Sequence, residues 1–246
     1  VSTVTNYRES HFGAEKAREY DADLWDLRAA KGLTWELEQR LLGRVLDALP
    51  EQPGTAVDFA CGTGRVLAFL AGRGIEVTGV DISPDMLALA RLHAPGARLV
   101  EGDVTRDADL ASGQYDLATA FRFFLNAEPG LRAGALRWLR RSVRPGGRLV
   151  ANFHLNPYSA RGLYTRARQR GDDAMPMMSI AQARRLLRAG GFRPLSVHAY
   201  DFLPFRRDGR TMALPGLRAK VESALLDHPR LTPFGGTFIV VAEPDV

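Results

Sequence analysis

Five short apolar runs, separated by helix-length segments over about a hundred residues, restrict this chain more than any other feature. They are TAVDFA (55–60), IEVTGV (75–80), ARLV (97–100), YDLATAF (115–121) and GRLVANF (147–153). Runs this apolar suit strands buried on both faces, and strands alternating with helices build a parallel, doubly wound α/β sheet. The intervening helices carry their own punctuation. Ser83, Pro84 and Asp85 supply an N-cap, a proline at the first helical position and an acid in the first turn, and the helix 131–143 stops at Pro145, Gly146 and Gly147. Upstream, Trp35, Leu42, Val45, Leu46 and Leu49 recur at helical spacing before Pro50, so 14–49 reads as one or two helices. Downstream the rhythm loosens. About 25 residues (154–178) precede a helix capped by Ser179 and stopped by Gly190 and Gly191. Two more strands are expected at 195–203 and 237–242, separated by about 30 residues that include a helix near 216–227. Long inserts in a compact domain are commonly lids or binding loops.

With 246 residues, 46% hydrophobic and 25% charged, the chain is neither disordered nor fibrous and can bury a large single core. No apolar run is long enough to span a bilayer and none near residue 1 suits a signal peptide, so a soluble, cytoplasmic protein with no membrane partner is expected. The lone cysteine, Cys61, has no partner for an internal disulfide and cannot nucleate a thiolate metal site. The net charge of +5 hides a division: residues 1–123 hold 13 Lys/Arg against 19 Asp/Glu, and residues 124–246 hold 20 against 9.

The segment VDFACGTGR (57–65) is a strand running into a glycine-rich turn that opens a helix. Gly62 and Gly64 let backbone approach a ligand closely, and free N–H groups at the helix start suit an anion. A dinucleotide site would show a third glycine, where this chain has Leu67. Two acids beyond the turn are spaced for a nucleoside. Asp81 ends the second strand (GVDIS), 19 residues after Gly62, where a carboxylate can accept from both ribose hydroxyls. Asp103 ends the third (EGDVT), where a carboxylate can accept from an exocyclic adenine amine. Both lie at carboxyl ends of parallel strands, where such sheets bind ligands.

These motifs together resemble the class I S-adenosylmethionine-dependent methyltransferase family. The likeness rests on VDFACGTGR, GVDIS, EGDVT, YDLATAFRFF and VRPGGRLVANF, with HFGAEKAREYDA similar to the family's N-terminal signature. It covers roughly residues 10–153, and 179–242 by architecture. The resemblance implies a seven-stranded, mostly parallel sheet whose last strand, 237–242, is antiparallel, with helices on both faces. The N-terminal helices and the inserts 154–178 and 204–236 would cap the acceptor site of a single domain whose cofactor-binding core is 51–153. It implies S-adenosyl-L-methionine as cofactor and no metal. Residue by residue, Ala60, Gly62 and Gly64 would surround the methionyl part and Asp58 would support that loop or the amino group. Asp81 would hold the ribose, Ile82 and Met86 would pack near adenosine, and Asp103 and Val104 would frame the adenine. Phe121 and Arg122 would flank the methionyl group, and an aromatic, Phe12 or Tyr20, would close over the cofactor. Ala60 stands where the family usually has glycine, a methyl group that is tolerable if the residue stays extended.

A sulfonium methyl is already electrophilic, so alignment supplies much of the rate, and a hydroxyl acceptor also needs a base. His154, just past the fifth strand, is the candidate base; a structural histidine bonded to a loop carbonyl is the alternative. Arg122 and Asn126 in FRFFLN point to the same edge, where Arg122 either binds an acidic group or braces an insert. Phe123 and Phe124 line an acceptor pocket or belong to the core. Tyr158, in an NPYS turn, Tyr200 and His198 are weaker candidates. Arg161, Arg166, Arg168, Arg170, Arg184, Arg185 and Arg188 either form a phosphate-binding face or are simply solvated. The expectation is O- or N-methylation of a small molecule, with a bacterial secondary metabolite as one instance, by a monomer or homodimer that does not bind nucleic acid. RNA or protein methylation and a non-catalytic scaffold are the alternatives.

Overall fold

The computed structural model describes residues 14–25, 30–111, 113–168, 175–203 and 215–245. Its centre is a seven-stranded sheet of order β3-β2-β1-β4-β5-β7-β6, with β1 Thr55–Phe59, β2 Glu76–Asp81, β3 Arg98–Glu101, β4 Tyr115–Ala120, β5 Val143–His154, β6 Phe192–Tyr200 and β7 Thr237–Pro244. Pairing is parallel from β3 through β5, and β7 runs antiparallel between β5 and β6. The first six strands therefore point the same way and collect their carboxyl ends along one edge. β5 starts earlier than the sequence pattern indicates, because Val143 already pairs with Tyr115 and the Pro145–Gly147 turn is absorbed as an irregularity within the strand.

Alternation along the strands divides the core in two. Val57, Ala118, Leu149, Ala151, Phe153, Phe238 and Val240 face one side, with Leu131, Ala135 and Trp138 of α5 (Pro129–Ser142) and Leu187 of α7 (Ile180–Ala189). Their neighbours Ala56, Leu117, Val150, Ile239 and Val241 face the other. There they meet α2 (Ala30–Asp47), α3 (Arg65–Ala71) and α4 (Pro84–His93). Phe123 and Phe124 belong to the first core; Phe124 stacks on Phe153 with ring centroids 5.6 Å apart. That settles them as packing groups. The 14–49 segment resolves into α1 (Ala14–Trp25) and α2, and α2 is a layer helix whose Leu42 and Leu46 are fully buried.

The helix signals act as read. Ser83 Oγ accepts from the Met86 amide at 3.4 Å with Pro84 at the first helical position, and Ser179 with Gln182 forms a reciprocal capping box. Two elements escape the sequence pattern: α6 (Ala160–Arg168) within the first insert, and a 3-10 turn, Pro229–Phe234, after α8 (Pro215–Leu226). The Asn156 side chain anchors the insert by donating to the carbonyls of Pro233 and Gly235, which explains the NPYS turn. Exposed Arg184, Arg185 and Arg188 form a solvated face of α7.

Four residues just past strand carboxyl ends adopt left-handed backbone although none is glycine. They are Ala60 (φ 55°) after β1, Arg122 (φ 58°) after β4, Leu155 (φ 59°) after β5 and Asp201 (φ 61°) after β6. Ala60 is thus not extended as expected, because the chain must turn sharply there to send the glycine loop toward α3. A left-handed L-residue carries about 1–2 kcal/mol of strain, partly offset in alanine by its smaller unfolded-state entropy. Ala60→Gly is expected to stabilise the fold by about 0.5–1 kcal/mol, read as a higher urea midpoint at unchanged slope.

Candidate functional site

The glycine loop leaves β1 at Ala60 and enters α3 at Arg65. Gly62 (φ 55°) and Gly64 (φ 82°) are both left-handed, and their surroundings differ. A Cβ on Gly64 would lie 2.9 Å from Ala90 Cα and Cβ of α4, whereas one on Gly62 would meet open space. Gly64 thus permits close helix packing while Gly62 keeps the mouth of a cleft clear. That cleft is lined by Asp58, Ala60, Cys61, Gly62, Thr63, Arg65, Val66 and Phe121.

Asp81 anchors the loop. Its Oδ2 accepts from the Gly62 amide at 2.8 Å and its Oδ1 from the Ser83 amide at 2.9 Å, so the carboxylate ties β1 to the end of β2. Asp103 makes a similar local turn, accepting through Oδ1 from Thr105 N at 3.0 Å and Thr105 Oγ1 at 2.6 Å. Each carboxylate oxygen offers more than one acceptor direction, so these contacts are compatible with a further donor from a ligand. Met86 and Val104 are buried and Ile82 is half-buried.

Asp58 lies inside the cleft wall, where Thr119 Oγ1 donates to its Oδ1 at 2.6 Å from the adjacent position of β4. Burial pushes its carboxyl up to about 7; Thr119 and the charge of Arg65 oppose that shift and the charge of Asp81 adds to it. A buried carboxylate near neutrality is complementary to a cation. Cys61 shares the wall, and burial raises its thiol well above the ordinary range, which makes it a packing group at neutral pH.

A buried polar cluster adjoins the cleft. Arg65 pairs with the fully buried Glu38 of α2 and lies over the Trp35 ring at 4.6 Å. Tyr200 donates to Glu38 at 2.5 Å, and Asn152 donates to Glu38 at 3.1 Å. Arg122 Nη2 stands 3.7 Å from the same carboxylate, and the Arg122 amide donates to Asn152 Oδ1 at 3.0 Å. Arg122 therefore braces the end of β4. Burial opposes charge on Glu38, but the two arginines and these hydrogen bonds outweigh it and hold the carboxyl below its usual range. A second cluster ties the inserts to β6: Arg161 of α6 (3.5 Å) and Arg218 of α8 (3.8 Å) pair with Asp201. Burial pushes the Asp201 carboxyl up to about 6, with Arg161 opposing the shift.

Of the acceptor-side candidates, His154 is half-buried at the end of β5, on the same sheet face as Asn152, and in register with Thr237, which pairs on its other side with Tyr200. Asn126 is exposed and donates to the Arg122 carbonyl at 2.8 Å. Tyr158 is 61% exposed; neither it nor Asn126 lines the cleft. His198 bonds Ser196 at 2.8 Å, and burial lowers its pKa. The Tyr20 side chain, Phe12 and Arg170 lie outside the described residues. Sequence reading passed over Glu38 and gave Tyr200 little weight. The available signal was an acid on the apolar stripe of α2, three residues after Trp35 and four before Leu42.

Residues 56–147 match a family model described as a methyltransferase domain. The matched stretch runs from β1 into β5 and holds the glycine loop, Asp81 and Asp103. Among curated relatives, it is 40% identical over 116 residues to a demethylmenaquinone methyltransferase of Beutenbergia cavernae, covering 46% of this chain and 47% of the relative. It is 34% identical over 106 residues to a ubiquinone biosynthesis O-methyltransferase of Aeromonas salmonicida, covering 41% and 44%. The chain spans about half the length of these relatives. Among solved structures, a possible histamine N-methyltransferase of Thermotoga maritima shares the fold with a TM-score of 0.62 at 17% identity, over 94% of this chain and 96% of that one.

The Asp58 geometry has a consequence for stability. Its folded pKa of about 7 exceeds the unfolded value near 4, so the native state binds more protons between those limits and stability falls as pH rises through the window. Glu38 and Asp116, whose pKa values are lowered, act at more acidic pH with the opposite sign. Asp58→Asn should remove part of the decline. Between pH 5 and 8 it is expected to gain on the order of 3 kcal/mol relative to the parent, measured by denaturant unfolding at each pH.

Proposed function

We propose that this chain transfers a methyl group from S-adenosyl-L-methionine to an oxygen or nitrogen of a small-molecule acceptor. One observation carries the reading: three successive strand ends in the sheet, those of β1, β2 and β3, bring the glycine cleft, Asp81 and Asp103 to one edge. The open side of Gly62 and the buried Asp58 carboxylate fit a ligand that bears a cation beside an adenosine. When bound, S-adenosyl-L-methionine supplies an electrophilic sulfonium methyl.

In this reading Asp81 accepts the ribose hydroxyls, Asp103 the adenine amine, and Asp58 balances the methionyl ammonium beside Ala60, Gly62 and Gly64. Ile82, Met86 and Val104 pack on the adenosine, and Phe121 closes the methionyl end with Arg122 behind it. The segments 154–178 and 204–236, which contain α6 and α8, form the acceptor-side cover of a single domain. His154 removes the proton of a hydroxyl acceptor. The names of the two curated relatives favour a quinone-type ring as acceptor, with Arg122, Asn126, His154 and Tyr158 on its side of the cleft. A nucleic-acid acceptor is less favoured, because several arginines of the basic half hold acids within the fold: Arg144 with Asp116, Arg148 and Arg193 with Glu243, Arg161 and Arg218 with Asp201.

Calorimetric titration with S-adenosylhomocysteine should show saturable binding by the folded protein, at least tenfold weaker in Asp81→Ala; absence of binding by the parent sinks the reading. His154→Ala is expected to lower kcat on a phenolic acceptor by about 100-fold or more while leaving affinity for the cofactor product within about threefold. Unchanged turnover would return His154 to a structural role.

A further inference from the structure

Glu38 is a fully buried carboxylate outside every motif the nucleoside reading uses, and it divides its two oxygens between two places. Oε2 holds the guanidinium of Arg65, the residue that comes directly after the glycine loop and lines the cleft. Oε1 accepts from Tyr200 of β6 and Asn152 of β5 and faces Arg122 after β4. Asn152 passes the connection on, because its Oδ1 receives the Arg122 amide and so fixes the left-handed turn that closes β4. Tyr200 is bound doubly, donating to Glu38 and accepting from Asn152 Nδ2 at 2.7 Å.

Stability alone does not call for this arrangement. Removing charges from water costs several kcal/mol per ion, and well-packed apolar side chains of similar volume commonly match or exceed a buried pair. A carboxylate here has one property that an apolar group lacks: it fixes the direction of a guanidinium. Arg65 is bonded to Glu38 and lies near two rings, with the Trp35 centroid 4.6 Å and the Phe121 centroid 5.9 Å from the guanidinium carbon. Phe121 and Arg65 both line the cleft, so whatever fills it presses on a side chain whose far end is bonded to α2. A guanidinium pre-set in this way meets a ligand without losing the rotamer freedom of a long side chain.

We propose that Glu38 is a positioning residue that orients Arg65 at the cleft wall and, through its other oxygen, locks the β4, β5 and β6 strand ends, so that filling the cleft tightens α2 onto the sheet. The proposal rests on the cofactor reading above, and the experiment separates the two. The parent, Glu38→Gln, the charge-paired double variant Glu38→Gln/Arg65→Gln and Tyr200→Phe are titrated with S-adenosylhomocysteine by calorimetry. Each is also followed by hydrogen exchange with and without that compound. In the parent, binding should slow exchange at residues 33–46. Glu38→Gln should bind at least tenfold more weakly and lose this ligand-induced protection, and Tyr200→Phe should show a smaller loss of both. Should Glu38→Gln fail to fold, the double variant, free of an unmatched buried charge, supplies the test: it should fold and still lack the protection. Parent-like affinity and protection in Glu38→Gln, or in the double variant, would overturn the positioning role. A parent that does not bind S-adenosylhomocysteine overturns the cofactor reading and the proposal with it.

Discussion

Parallel strands need long crossovers, and those crossovers force every strand to start at one edge of the sheet and finish at the other. Here β1 to β6 all finish along a single edge, with β7 returning antiparallel between β5 and β6. Residues separated by most of the chain length thereby become neighbours. Ala60, Asp81, Asp103, Arg122, His154 and Asp201 lie at or just beyond six different strand ends. Four of these ends turn through a left-handed residue without the relief of glycine, and such strain survives only where the surroundings hold the backbone in place. The hydrogen bond from the Arg122 amide to Asn152 is one such hold; that from the Gly236 amide to the Asp201 carbonyl is another.

Electrostatics derive from that edge. Acids are concentrated in the first half of the sequence and arginines in the second, and the fold brings the two populations together. Arg144 closes on Asp116 across that divide, while within the second half Arg161 and Arg218 close on Asp201 and Glu222 accepts the amides of Phe202 and Leu203, which fastens the inserts to strand ends. Arg122 lies between the two buried clusters: it faces Glu38 and its charge also reaches Asp201. The glycine-loop side and the insert side are in this way parts of one charged layer. Asp58 and Asp201 are the members for which burial prevails over neighbouring positive charge, and both titrate closer to neutrality than an exposed carboxylate. Glu38, with more donors around it, keeps its charge more firmly.

Local chemistry was enough to read the strands and most helices in order, the glycine turn, the Ser83 and Ser179 caps and the placement of Asp81 and Asp103 at strand ends. Each depends on residues within one or two turns of each other: apolar periodicity, a cap hydroxyl, a glycine, an acid after a β-run. The match of residues 56–147 to a methyltransferase domain falls on the stretch where these local signals are densest. Tertiary packing decided the rest. Glu38 meets Tyr200 across 162 positions and Asn152 across 114, and no periodicity encodes which buried acid finds which donor. Ala60 took left-handed backbone because the loop is tied to Asp81 of the neighbouring strand, a constraint that propensity for alanine opposes. The phenylalanines after β4 were ambiguous until Phe124 stacked on Phe153 and Phe123 met Phe59 edge-on. Sequence alone thus determined which strand ends carry the glycine turn and the acids, since that pattern is local. The three-dimensional structure decided how those ends are held and charged, because burial and pairing of charge are properties of distant parts brought into contact.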